Sequence, residues 1–166
     1  MITAYGPGNY NREILAVVHL DKIIIPRISM NNNQQLINWV LVTFREAAWA
    51  PLGVICFYAI GLAFDWYDLF PPLDIPTHLL GGAAITYFYR SAIKHSQSIV
   101  GAIPLPIQIL LAFTCTGTTI IFWEFYEKTL DYFLGTRMVR GLEDTIIDML
   151  VGLTGALVLS LFYKRR

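Results

Sequence analysis

The chain has 166 residues, 55% of them apolar, with 12 basic and 12 acidic side chains and no formal net charge. That length suits one compact domain. The apolar share and a mean hydropathy of +0.53 are high for a water-soluble fold, and the balanced charge excludes a nucleic-acid footprint.

Taken in chain order, residues 1–33 read as an N-terminal cytoplasmic or interfacial segment. Its apolar stretches are interrupted by Asp21, Lys22 and Pro26, so no signal-peptide core forms. Residues 23–25 offer a docking point on a membrane surface, and Asn31, Asn32 and Asn33 mark a break. Residues 34–46 form an amphipathic lead-in that either lies at the interface or extends the first span. The rest, 34–166, reads as a transmembrane domain with four spans at about 47–64, 76–93, 104–126 and 142–163, each near the roughly 20 residues that a crossing helix requires. The second span is the shortest, clear only from Pro76 to Tyr89 before its extension to 93. The expected fold is therefore all-α, a polytopic membrane bundle of four transmembrane helices behind an interfacial segment.

Punctuation supports these limits. Pro76 suits a first helical turn, where a missing N–H is harmless. Pro104 and Pro106 mark the start of the third span, and Pro51 should kink the first. Glu143 and Asp144 put negative charge in the first turn of the last helix, as the helix dipole favours. Cys56 and Cys115 fall inside apolar runs without CxxC spacing and read as buried free thiols.

Orientation follows from the basic residues. With four spans, Arg12, Lys22, Arg27, Arg45, Arg90, Lys94, Lys164, Arg165 and Arg166 share one side, and only Lys128, Arg137 and Arg140 lie on the other. The positive-inside rule then puts both termini in the cytoplasm of a cell whose inner membrane the protein spans. Trp66, Tyr67, Phe70, Trp123, Tyr126, Tyr132 and Phe133 would form an aromatic belt at the outer side.

The acids gather at that outer side too. Asp65, Asp68, Asp74, Glu124, Glu127, Asp131, Glu143, Asp144 and Asp148 lie at or near the outer span ends, with His78 early in the second helix. Glu124, Glu127 and Asp131 share one helical face at i, i+3 and i+7, and Asp144 and Asp148 stand at i, i+4. Gly81, Gly82, Gly117, Gly152 and Gly155 lie beneath them, a small-residue surface that lets helices approach closely. Asp148 is about 9 Å into its helix at ~1.5 Å per residue, too deep for an exposed terminal charge.

Carboxylates at such depth need a partner. A divalent cation, pairing with Arg137, Arg140 or Lys128, and proton sharing are all open. The candidate polar cluster is Asp74, His78, Glu124, Glu127, Arg140, Asp144 and Asp148, with His78, Glu124, Asp144 and Asp148 as the metal-ligand set; no catalytic residue stands out. Each has a plainer reading: His78 bonding Asp74 at a helix start, Glu143 and Asp144 complementing the dipole, Glu127 and Asp131 solvated or paired with Lys128. Glu124 and Asp148 are the residues for which burial leaves fewest such alternatives.

Three blocks carry a family likeness: Asp74-x-x-x-His78 with Gly81-Gly82; Trp123-Glu124-x-x-Glu127; and Gly141-x-x-Asp144-Thr145-x-x-Asp148-Met149 with Gly152 and Gly155-Ala156. In these the chain resembles the YjdF-like inner-membrane proteins and, more loosely, the VanZ-like family, over residues 74–156. It departs from the VanZ pattern by carrying Asp148 where asparagine is usual and by lacking the glutamine after the glutamate. The likeness implies a small multi-span membrane protein; the VanZ side adds an association with glycopeptide resistance and the cell envelope.

Three functions follow as expectations. The first is an envelope protein, structural or binding a lipid or cell-wall-precursor head group at the acidic-histidine cluster. The second is a metal-dependent hydrolase or transferase acting on a lipid-linked substrate, although no HExxH or GxSxG motif is present. The third is an ion or proton pathway. The bilayer is the expected partner and a divalent cation the candidate cofactor.

Overall fold

The structure, a computed structural model, describes residues 31–162. The chain clusters into units Met1–Asn33 and Gln34–Arg166, and nearly everything described belongs to the second. The expected surface docking of residues 23–25, and the basic residues Arg12, Lys22, Arg27, Lys164, Arg165 and Arg166, lie outside the described residues.

Among the described residues the fold is helical throughout, 88% helix with no strand. The helices are α1 (Asn32–Ala47), α2 (Trp49–Ala63), the single-turn α3 (Trp66–Leu69), α4 (Asp74–Val100), α5 (Leu105–Leu134) and α6 (Leu142–Phe162). A 3-10 turn, Pro71–Leu73, leads into α4.

Several boundaries differ from expectation for local reasons. Helix α1 opens at Asn32, two residues ahead of the expected lead-in. The lead-in and first span form two helices meeting at a 56° bend. The bend falls just ahead of Pro51, whose ring denies the carbonyl of Ala47 its helical donor. α4 runs past residue 93 to Val100, where Gly101 at φ 89° ends it. α5 continues past residue 126 to Leu134 and is capped by Gly135 at φ 69°. Its 30 residues span ~45 Å, longer than the ~30 Å hydrocarbon core.

α5 and α6 are each long and apolar enough to cross a membrane, and α1 with α2 makes a third crossing if the bent pair is one span. α2 alone has 15 residues, too short at ~22 Å. α4 has the length but not the apolar composition, because Thr86, Arg90 and Ser91 occupy its inner face and are all buried.

The packing is inverted relative to a soluble protein. The largest fully buried side chains are Thr86, Thr116 and Ser91, while Leu110, Phe122, Phe125, Leu150 and Leu161 point outward. Lipid removes any drive to hide leucine, so the interior goes to small and hydroxyl-bearing residues. Hydroxyls tie the helices: Thr86 to Thr116 at 3.0 Å and Tyr89 to Thr119 at 2.9 Å. α4 and α6 touch backbone to backbone where Gly82 faces Gly152 and Gly155 faces Leu79. α1 docks on the far half of α4, with the Trp39 indole donating to the Ala92 carbonyl at 2.8 Å and Glu46 meeting His95 and Lys94.

Candidate functional site

Above the glycine contact, three helices present ionisable side chains to one another. From α4, Asp74 and His78 stand at i, i+4, with His78 Nε2 at 3.4 Å from Asp74 Oδ1. From α6, Asp148 Oδ1 lies 3.9 Å from the same nitrogen. From α5, Glu124 Oε1 lies 3.9 Å from His78 Nδ1. The imidazole is thus flanked by three carboxylates, one from each helix.

Glu127, one turn along α5, is 4% exposed. Its Oε1 accepts from the Tyr58 hydroxyl of α2 at 2.8 Å and from the Trp123 indole at 2.9 Å. Those two donors orient it, whereas Glu124, 5% exposed, has both carboxylate oxygens buried and neither hydrogen-bonded. A buried carboxylate without a donor is costly, and no hydrogen bond compensates the charge of Glu124.

The ligand-type atoms fall into two groups within 4.8 Å: Asp74, His78 and Asp148, and His78, Glu124 and Glu127. Donors around a tetrahedral ion with ~2.0–2.2 Å bonds sit about 3.4 Å apart, so side-chain rotation would close either group on a cation. One imidazole with carboxylates suits zinc or manganese, and carboxylates alone suit magnesium or calcium.

Asp144 does not join either group; it accepts from the Arg140 backbone N–H at 2.9 Å, a helix-start role. Arg140 points its guanidinium to the Tyr67 carbonyl at 2.8 Å. None of Arg137, Arg140 and Lys128 comes within ion-pair distance of a carboxylate among the described residues, so His78 is the basic group the cluster carboxylates share. Asp131 leaves the face it shares with Glu124 because it lies beyond the bundle, where it gathers the following loop: its carboxylate accepts from the Thr136 hydroxyl and the Met138 and Val139 N–H groups at 2.6, 2.8 and 2.9 Å.

Two expected belt residues face inward instead. Trp123 holds Glu127, and Tyr67 is buried, its hydroxyl 3.2 Å from Thr77; burial raises the Tyr67 phenol above its ordinary value and keeps it neutral. Tyr58 was legible only as a hydroxyl inside an apolar run. Replacing Tyr58 with Phe keeps the ring and removes one donor from a buried carboxylate, so chemical denaturation in detergent should read a loss of about 1.5 kcal/mol. An unchanged midpoint would mean that this bond does not form.

A polar vestibule of about 360 Å³ opens over the cluster, with Asp74 and Glu127 in its wall alongside Asp65, Asp68, Arg137 and Arg140. A crevice of about 500 Å³ between α5 and α6 reaches Glu124 from the other flank.

Residues 2–166 match a family model described as predicted membrane protein (DUF2238). The looser VanZ-like likeness gains no support from this match. No curated protein and no solved structure matches the chain.

Proposed function

Because the chain belongs to this family of predicted membrane proteins, we propose that it binds a divalent cation at the outer end of its bundle, through His78, Asp74, Asp148, Glu124 and Glu127, and engages a lipid or cell-wall-precursor head group there. The observation that carries this reading is Glu124: a buried carboxylate with no hydrogen bond, 3.9 Å from His78. With one imidazole shared among three carboxylates and Arg137, Arg140 and Lys128 outside ion-pair reach, a cation is the partner whose charge fits.

The same reading takes the membrane architecture further. α4 serves as the fourth span despite its polarity, because α2, α5 and α6 pack against it and shield its polar face from lipid. The distribution of basic residues supports an inner-membrane location with both termini cytoplasmic.

Elemental analysis and thermal shift with Mn²⁺, Zn²⁺ and Mg²⁺ test it. The native chain should carry stoichiometric metal and gain about 2.7 kcal/mol at a free cation concentration ~100-fold above Kd. The Glu124→Gln/Asp148→Asn double variant should lose both effects. A native chain with no stoichiometric metal, whose melting no cation shifts, would rule the reading out.

A metal-assisted hydrolase or transferase is the second reading, favoured by the vestibule, which has room for a substrate on the same carboxylates. Hydrolysis of a lipid-linked phosphate that ceases with Glu124→Gln would separate it from binding alone. An ion pathway ranks last because the backbone contact of Gly82 with Gly152 closes the bundle beneath the cluster.

A further inference from the structure

Beside the polar cluster lies a second cavity of opposite character. It occupies about 300 Å³ beside α1, α2, α4 and α5. Phe44, Leu52, Val54, Ile55, Ile85 and Phe88 form much of its wall. Such walls give water no hydrogen-bond partner, so the space favours an apolar occupant.

The polar members of its lining are informative. His78, Tyr58 and Trp123 face the cavity, and these side chains also contact Asp74 and Glu127. Tyr58 lines the polar vestibule as well, where Arg137 and Arg140 supply positive charge beside Asp74 and Glu127. An apolar slot adjoining an ionic chamber across the shared Tyr58 wall has the polarity of an amphiphile. The volume lies at the small end of ligand pockets, ~300–1,000 Å³, which suits one hydrocarbon chain rather than a whole two-chain lipid. Arg140 uses one guanidinium nitrogen on the Tyr67 carbonyl, leaving other N–H donors for a phosphate.

We infer that the apolar cavity seats one hydrocarbon chain of a phosphate-bearing bilayer lipid, whose phosphate lies in the vestibule between Arg140 and the bound cation. The head-group half rests on the cation reading, since the vestibule carboxylates alone would repel a phosphate. The chain half rests on the cavity and on His78, Tyr58 and Trp123, which line it and border the cluster.

Photolabelling tests both. The full chain is placed in nanodiscs containing phosphatidic acid with a diazirine in one acyl chain, and Mn²⁺ binding is followed in parallel by electron paramagnetic resonance. Label is expected on Val54 and Ile85. Gly81→Leu fills the cavity from a position whose added Cβ makes only ordinary contact, 3.8 Å from Val54 Cγ1. It should cut that label at least ten-fold and leave Mn²⁺ binding unchanged; Ile85→Trp is a second filling variant with the same expected result. Arg140→Gln should erase the preference for the phosphatidic acid probe over the same diazirine chain on diacylglycerol, which has no phosphate.

Intact Mn²⁺ binding with label only on outward residues such as Leu110 and Leu150, undiminished by either filling variant, overturns the chain seat. Label at Ile121 and Leu142 puts the chain in the other crevice and overturns it as well. So does an unlabelled cavity, the result expected if residues 1–30 of the chain itself fill it. Cavity labelling without Mn²⁺ binding supports the seat and sinks the cation reading alone.

Discussion

Gly82→Ala should lower the stability of the bundle by about 3 kcal/mol, the upper part of the range for overpacked interiors, although alanine is the better helix former by ~1 kcal/mol. A Cβ built on Gly82 would lie 1.9 Å from the Gly152 carbonyl oxygen, and one on Gly155 would lie 2.0 Å from the Leu79 carbonyl oxygen. Both obstacles are backbone, so no side chain can rotate aside, and α4 and α6 must separate. Separation also loosens Ile120, which packs on Gly152, and widens the distance between His78 and Asp148. Gly82→Ala should therefore lower both the midpoint of denaturation and cation affinity. Gly53→Ala is the control: nothing lies within 4 Å of its added Cβ, so it should stabilise by up to ~1 kcal/mol. Equal effects at Gly82 and Gly53 would mean that the two helices do not meet as described.

Asp131→Ala is expected to cost about 3 kcal/mol. The carboxylate takes three hydrogen bonds from Thr136, Met138 and Val139. Bonds to a charged acceptor contribute ~1.5–3 kcal/mol each, and water replaces part of that at a half-exposed site. The consequence reaches the cluster, because the loop it gathers carries Met138, whose sulfur lies 3.1 Å from the Tyr58 hydroxyl, and leads to Arg140. Asp131→Ala should thus raise amide exchange through residues 135–140 and weaken head-group binding more than cation binding. Asp131→Asn, which keeps an acceptor but not the charge, should recover part of the stability. Unaltered exchange in that loop would show that Asp131 does not organise it.

Much of the architecture was legible from local signals. The apolar runs over α5 and α6 and the glycines beneath the acids depend on residues close in sequence, so spacing and composition suffice to find them. Helix ends were harder. α4 runs on through Ser96 and Ser98, whose hydroxyls bond the Ile93 and His95 carbonyls three residues back, and nothing apolar marks that extension.

The cluster was legible in part. That Glu124, Asp148 and His78 reach a common depth follows from helical rise alone. Which carboxylates then meet depends on rotation about each helix axis and on the α4–α6 approach. These bring Asp74 to His78 and leave Asp144 at its own helix start. The Tyr58–Glu127 bond joins residues 69 apart in sequence, and no periodicity within either helix announces it.

The amino-acid order by itself therefore determined a membrane protein with helical spans, small-residue seams and charges at one end, since hydropathy and the 3.6-residue turn act within each segment. Only the tertiary structure decided that Glu124 lacks a hydrogen bond, that Glu127 is held by Tyr58 and Trp123, and that Arg137 and Arg140 form no ion pair with a described carboxylate. The physical reason is that neutralisation of a buried charge is set by neighbours on other helices, and backbone contact at two glycines settles which neighbours those are.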